Sequence, residues 1–193
     1  SLTPTEDPTV YEDTLEPLLN NIRDETGKDL EYVPLDSYAA QVEAMRSERL
    51  HVAGFSTGVV PFAVNLANAV PFSIQIEGGS GGEDASFGYR LWLITQLDNA
   101  EITELEDLAG DPKETVAHSD PSSNSGNLAP RALFANQGVE PGEDYEVSYS
   151  GGHQQGSLGV ANGDFDAAPV CSTCYARVAR DGQLDPEQVK CIW

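Results

Sequence analysis

Short apolar runs alternate with amphipathic stretches along the whole chain, the pattern of an α/β fold in which strands and helices take turns. Leu15, Leu18, Leu19 and Ile22 recur at helical spacing, and Gly27 supplies a C-terminal stop. Leu30 to Pro34 then reads as a strand. Ser37 can cap a helix carrying Tyr38, Val42 and Met45, and His51 to Phe55 reads as the next strand, completing a βαβ unit. Gly58 to Ala69 is expected to be helical, with Pro61 in the first turn, where its missing N–H does no harm, and Val70 to Ile76 follows as a strand.

Glu77 to Phe87, rich in Gly, Ser and acids, reads as a flexible surface loop. Beyond it lies Tyr89 to Thr95, an apolar run with strand character. Thr103 and Glu106 have the spacing of a capping box for a short helix ending at Leu108. Strands are expected at Glu114 to Ala117, Tyr145 to Tyr149, Phe165 to Val170 and the end of the chain. Helices are expected at Gly126 to Asn136, His153 to Asn162 and about Thr173 to Arg180. There is no internal repeat and no low-complexity tract.

Length and composition narrow the picture. The 193 residues suffice for one large domain or two small lobes with a real core, and no apolar run approaches the ~18 residues of a membrane span. The chain opens on Ser1-Leu2-Thr3-Pro4 without a basic region followed by an apolar stretch, and it stops on the strand-like Val189-Lys190-Cys191-Ile192-Trp193, so a fragment is expected. Thirty-two acids against ten bases give a net charge of −22, which excludes nucleic acid and anionic membranes as partners. The acids are spread singly among periodic apolar residues, so the chain reads as folded. With only three lysines, Lys28, Lys113 and Lys190, it has the look of adaptation to concentrated salt; at ~1 M salt the Debye length is ~3 Å and surface self-repulsion is screened.

Of three cysteines, Cys171 and Cys174 form a C-x-x-C. That spacing suits a redox pair or half a zinc site. The further candidates, His153 and Cys191, do not stand at finger-like spacing, so no metal and no cofactor is expected; a disulfide between two of the three and buried free thiols remain equal alternatives.

Candidate chemistry is concentrated in His118-Ser119-Asp120-Pro121-Ser122-Ser123-Asn124-Ser125-Gly126-Asn127-Leu128-Ala129-Pro130. Hydroxyl and amide side chains gather where a strand gives way to a helix, so donors and free backbone N–H groups can converge on one anion. No Lys or Arg lies between Lys113 and Arg131, so such a site would work through dipoles and neutral donors. The same residues also make an ordinary capping turn. Gly151-Gly152-His153 stands at a second strand-to-helix junction, where the glycines allow close backbone approach and His153 could donate to an anion. Phe55 and Tyr89, taken alone, read as core residues.

Glu16-Pro17-Leu18-Leu19 with Thr26-Gly27, Asp36-Ser37-Tyr38, Ser122-Ser123-Asn124-Ser125-Gly126 and Gly151-Gly152-His153, after an Asp-Pro near the start, occur in an order and spacing that resembles the phosphonate/phosphite/phosphate-type substrate-binding proteins of ABC transporters. The resemblance covers nearly the entire chain. It implies a two-lobed periplasmic-binding-protein fold, α/β with mixed sheets flanked by helices, with lobes at 1–88 and 89–193, and lacking at its C-terminal end the segment that returns to the first lobe.

By the same resemblance, Phe55, Tyr89, Ser123, Asn124, Ser125, Gly126 and His153 surround a phosphorus oxyanion in the interlobe cleft. Phe55 stands where a hydroxyl-bearing Tyr often sits, so Ser56 or Thr57 would supply the missing donor. Val170-Cys171-Ser172-Thr173-Cys174 holds no carboxylate to pair with an ammonium group, which favours phosphate, phosphite or a small simple phosphonate. The implied protein is a non-enzymatic monomer, extracellular or periplasmic and lipid-anchored, that delivers its ligand to an ABC permease. The competing readings are a ligand-sensing domain of a signalling receptor, and a phosphatase-type hydrolase using Ser123 or Ser125 with His153 as base.

Overall fold

The computed structural model describes residues 1–2, 9–74, 87–110 and 113–193. The expected loop at Glu77 to Phe87, apart from Phe87 itself, and the Asp-Pro near the start lie outside the described residues.

Residues 91–193 build one five-stranded sheet. Its strands are β1 (Leu91–Gln96), β2 (Thr115–His118), β3 (Glu146–Tyr149), β4 (Ala167–Cys171) and β5 (Val189–Cys191), in the order β3-β2-β4-β1-β5. The three inner-to-edge strands β3, β2 and β4 run parallel, while β1 runs antiparallel to both of its neighbours, β4 and β5. Helices α4 (Ala129–Ala135), α5 (His153–Asn162) and α6 (Ser172–Arg180) supply the crossovers.

Both faces of this sheet are covered, and the strand period sorts the core accordingly. Leu93, Val116 and Ala167 pack with Ile102, Leu105, Leu108, Phe134 and Tyr145 on one face. Their immediate neighbours Ile94, Ala117 and Ala168 pack with Val160 and Val178 on the other. Pro169 sits opposite Leu93 in the middle of β4, an unusual place for a residue without an N–H. The ladder tolerates it because the backbone of Leu93 turns the other way, its N–H donating to Trp193 O at 3.0 Å and its carbonyl accepting from Ile192 N–H at 2.8 Å.

The expected helices form: α1 (Thr9–Thr26), α2 (Tyr38–Arg46) and α3 (Val60–Ala67) precede the sheet. The Gly27 N–H donates to Arg23 O at 2.8 Å with Gly27 at φ 63°, and the Ser37 hydroxyl accepts from Ala40 N–H at 3.2 Å, so both stop and cap act as read. Tyr38 and Val42 pack with Val59 and Ala63 in a small cluster that Phe55 also joins.

The strands expected at Leu30 to Pro34, His51 to Phe55 and Val70 to Ile76 are a correction. Over the described residues these segments carry no ladder, and the βαβ unit is not formed. The reason is partnership: a strand is completed by its neighbour, and the nearest approach to one is Ser1, which takes Gly54 N–H on its carbonyl at 3.0 Å and donates to Val52 O at 3.4 Å. Val70, Phe72 and Ile74 keep the strand alternation but stand 80, 74 and 65 % exposed. The expected capping box also shifts by one residue. Asp107, not Glu106, reaches back, accepting from the N–H and Oγ1 of Thr103 at 2.7 and 2.9 Å and from Glu104 N–H at 3.1 Å, which sets a 3-10 turn over Leu105–Leu108. Cys171 and Cys174 are disulfide-bonded, and Cys191 is an exposed thiol.

Candidate functional site

The parallel strands β2, β3 and β4 all end on one side of the sheet, and each hands over to a helix there. That is where open α/β sheets hold ligands, because helix N-termini and loop side chains converge beyond the carboxyl ends of the strands. After β2 the chain runs through Ser119–Ser123 into a π turn, Asn124–Leu128, continuous with α4. After β3 come Gly151 and Gly152, then His153 as the first residue of α5. The last residue of β4, Cys171, is itself the N-cap of α6.

The loop after β2 is held from within. Asp120 Oδ1 accepts from Ser122 N–H at 2.7 Å, and the Ser123 hydroxyl caps the helix start by accepting from Gly126 N–H at 3.2 Å. Gly126 has no substitute here: a Cβ on it would overlap the Ser119 hydroxyl and stand 2.7 Å from Ser119 Cβ. Gly151 is at φ 88°, a left-handed turn that aims His153 back across the strand ends. First-turn N–H groups of Asn124 and Ser125 have no intrahelical acceptor.

His153 joins the three strand ends. Its Nε2 lies 3.3 Å from Ser123 Oγ and 3.5 Å from Ser125 Oγ, while its Nδ1 accepts from Cys171 N–H at 3.4 Å. A ring nitrogen that accepts a backbone N–H has no proton of its own, so the neutral ring carries its hydrogen on Nε2, facing the two serines. Burial pushes the His153 pKa down to about 4, with the Arg177 charge acting in the same direction, so the ring is neutral at pH 7. In this tautomer Nε2 is a donor toward the two serines and cannot act as a base there. The hydrolase reading, which needs Nε2 to take a serine proton, is thereby corrected.

Beneath the loop lies a second buried histidine of opposite tautomer. Asn127 Oδ1 accepts from Arg131 Nε at 3.0 Å, which fixes the amide's orientation, so His118 Nδ1, at 2.8 Å from the same oxygen, is the donor. His118 Nε2 then accepts from the Tyr145 hydroxyl at 2.9 Å. Asn127 Nδ2 donates to Pro121 O at 2.7 Å, so this network pins the loop that carries Ser123 and Ser125.

Of the residues singled out from sequence, Ser123, Ser125 and His153 meet directly, and Gly126 lies under them. Asn124 Nδ2 donates to the Tyr89 hydroxyl at 3.4 Å, linking the start of β1 to the helix start. Ser56 Oγ is buried and lies beside the Tyr38 hydroxyl, with which it interacts. Phe55 packs into the cluster of α2 and α3, and Thr57 stands exposed beside it. Next to Thr57, a Cβ on Gly58 would lie 3.2 Å from the Asn124 side chain, so this segment closes over the helix start.

Tyr38 was not foreseen as a site residue. Its ring is buried in the α2–α3 cluster, while its hydroxyl, held well above the usual tyrosine range by burial, interacts with the Ser123 hydroxyl and feels Tyr89 and Asp120. Its place directly after the Ser37 cap was visible in sequence. Its reach across to the loop after β2 was not.

All 193 residues match the family model for the ABC transporter phosphonate periplasmic substrate-binding protein. The chain belongs to this family. Among curated proteins, the chain is 31% identical over 203 residues to the phosphate-import protein PhnD of Mycolicibacterium smegmatis, covering 98% of this chain and 60% of that one. It is 26% identical to the phosphonates-binding periplasmic protein of Escherichia coli over 92% of this chain and 51% of the other. Among solved structures, it superposes at TM-score 0.83 and 26% identity on a binding protein component of an ABC phosphonate transporter from Pseudomonas aeruginosa, covering all of this chain and 62% of that one. PhnD1 of Prochlorococcus marinus, solved with methylphosphonate, has the same fold at TM-score 0.79 and 19% identity, with 70% of its chain covered. The chain thus spans 51 to 70% of the length of these relatives. The family consists of substrate-binding proteins of transporters, not enzymes.

Proposed function

We propose that this chain is the oxyanion-binding part of an ABC importer's solute-binding protein, taking phosphate, phosphite or a small phosphonate between the loop after β2, His153 and the segment 55–58. The observation that carries this reading is the convergence of the Ser123 and Ser125 hydroxyls on the protonated Nε2 of a neutral, 3 % exposed histidine. These are donors in fixed positions without a cation among them, and a small oxyanion would replace the weak contacts they now make to one another. Each such bond to a charged acceptor is worth about 1.5–3 kcal/mol, so three or four support micromolar binding after desolvation.

Tyr38 and Ser56 come from the part before residue 88 and the serines from the part after it, which supports a ligand bridging two lobes, 1–88 and 89–193, as the shut form. Relatives described as importing phosphate and binding methylphosphonate favour a ligand of this class. The absence of a carboxylate in residues 170–174 favours one without an ammonium group. The partner is a membrane permease, the location is periplasmic or extracellular with a lipid anchor, and the working form is a monomer. Isothermal titration with phosphate, phosphite and methylphosphonate tests the reading in the full-length protein. Saturable heat with at least one is expected, and silence with all three overturns it.

A further inference from the structure

The imidazole of His153 has a second side. Its Nε2 faces the serines, but its Nδ1 is turned toward Cys171, and the two sulfurs of Cys171 and Cys174 and a ring nitrogen of His153 all lie within 4.8 Å of one another, all three residues buried. We propose that Cys171, Cys174 and His153 Nδ1 form, once the disulfide is reduced, a three-ligand site for Zn2+ on the far side of the ring from the anion cleft.

The donor set is one that zinc selects: two thiolates and an imidazole, with a fourth position left for a water molecule or another ligand. Tetrahedral zinc needs its N and S ligands about 3.5–3.8 Å apart. Two sulfurs released from their mutual bond move apart to about that spacing, and His153 Nδ1 turns to the metal by giving up the Cys171 N–H that it now accepts at 3.4 Å. C-x-x-C at the first turn of α6 puts both side chains on one side, and the Cys171 sulfur, which accepts from Cys174 N–H at 3.0 Å, is already favoured as an anion by its N-cap position. Two thiolates cancel the charge of the ion, so filling the site adds no net charge beside Arg177, whose Nη2 lies 3.8 Å from the Cys174 sulfur.

The chemistry balances in two steps. A dithiol reductant gives two electrons and two protons; its own S–S bond forms, the Cys171–Cys174 bond breaks, and two thiols result. The metal then displaces both thiol protons to solvent. Because the zinc would take Nδ1, the Nε2 hydrogen stays directed at the serines. The proposal therefore does not depend on which anion, if any, enters the cleft.

Co2+ serves as the spectroscopic stand-in, in a Cys191→Ser background that removes the exposed thiol. After reduction with a phosphine, which is oxidised to its oxide with the oxygen of water while the two sulfurs take its protons and which leaves no competing thiol, one equivalent of Co2+ should give an intense thiolate-to-metal band in the near ultraviolet, bleached by Zn2+. The oxidised protein should give none. Cys174→Ser should lose about half the band, and His153→Ala should weaken binding at least tenfold. Circular dichroism follows the fold throughout: if reduction itself unfolds the chain, Zn2+ must restore the helical signal. No band, an equal band from oxidised protein, unchanged binding in Cys174→Ser, or an unfolded chain that Zn2+ does not restore would each overturn the proposal.

Discussion

The backbone N–H of Cys171 donates to Nδ1 of His153 across 3.4 Å, and that one bond decides which side of the ring carries a proton. It makes Nε2 the donor nitrogen and points it at Ser123 and Ser125. The proposed oxyanion site would therefore not need a protonated histidine at neutral pH, and a buried neutral donor avoids the desolvation penalty of a buried charge.

Removing the hydroxyl of Ser125 should weaken oxyanion binding more than truncating Asn124. Ser125 is buried against Nε2, whereas Asn124 is partly exposed and its amide already donates to Tyr89. Ser125→Ala is expected to lose roughly tenfold to a hundredfold in affinity by titration, as one charge-assisted bond implies. Ser123→Ala should do the same and also lower stability by about 1 kcal/mol, because the Gly126 N–H loses its cap. Equal affinities in wild type, Ser125→Ala and Asn124→Ala would remove this helix start from the site.

Gly126→Ala is a packing test. The added methyl has to displace Ser119 from beneath the loop, and overpacking of this kind costs about 1–3 kcal/mol. Urea denaturation should show the loss, and the double variant Gly126→Ala with Ser119→Gly should recover most of it.

Acid should destabilise the fold earlier than its carboxylates alone would. Burial holds both His118 and His153 at a pKa of about 4, against 6.5 in the unfolded chain. Between those values the unfolded chain binds the extra protons, so the stability is complete above about pH 6.5 and drains away as pH falls toward 4. Each histidine accounts for on the order of 3 kcal/mol across the full window. Urea midpoints taken at about 1 M salt, where surface repulsion is screened, should fall steadily from pH 7 to pH 5; a flat profile would contradict the buried neutral rings.

The acidic exterior should act on capture rate and not on the geometry of capture. With a net charge of −22, the surface repels a small anion at long range. Stopped-flow association should therefore speed up as salt is raised from low ionic strength, the reverse of ordinary steering. An on-rate independent of salt, with the fold intact, would show that the surface charge has no part in capture.

How legible the molecule is from sequence differs between its two halves for a physical reason. The sheet of residues 91–193 was readable because each strand there finds its neighbours and both faces are covered, so the apolar pattern of Leu91–Gln96 and Ala167–Cys171 matches the structure to within a residue or two. His51 to Phe55 and Val70 to Ile74 have strand composition too, but pairing is a property of two segments and a single sequence window states only one. Ser123, Ser125 and His153 could be picked out because each stands at a strand-to-helix junction. The network of His118, Asn127 and Tyr145 that holds their loop could not, since its members are spread over three elements. The same holds for Cys171 and His153, 18 residues apart in sequence and hydrogen-bonded in space. The capping box moved from Glu106 to Asp107 because only the short carboxylate one residue later reaches the Thr103 and Glu104 N–H groups together.

The central claim, that a neutral His153 donates its Nε2 proton to an oxyanion, is tested most directly by long-range 15N–1H NMR of the ring-labelled protein at pH 7. His153 should appear as the Nε2–H tautomer and His118 as the Nδ1–H tautomer. On addition of phosphate, phosphite or methylphosphonate, the His153 Nε2–H proton should shift downfield while His118 stays put. A His153 that is charged or Nδ1-protonated in the free protein, or an Nε2–H signal that no member of the series moves, would contradict the account.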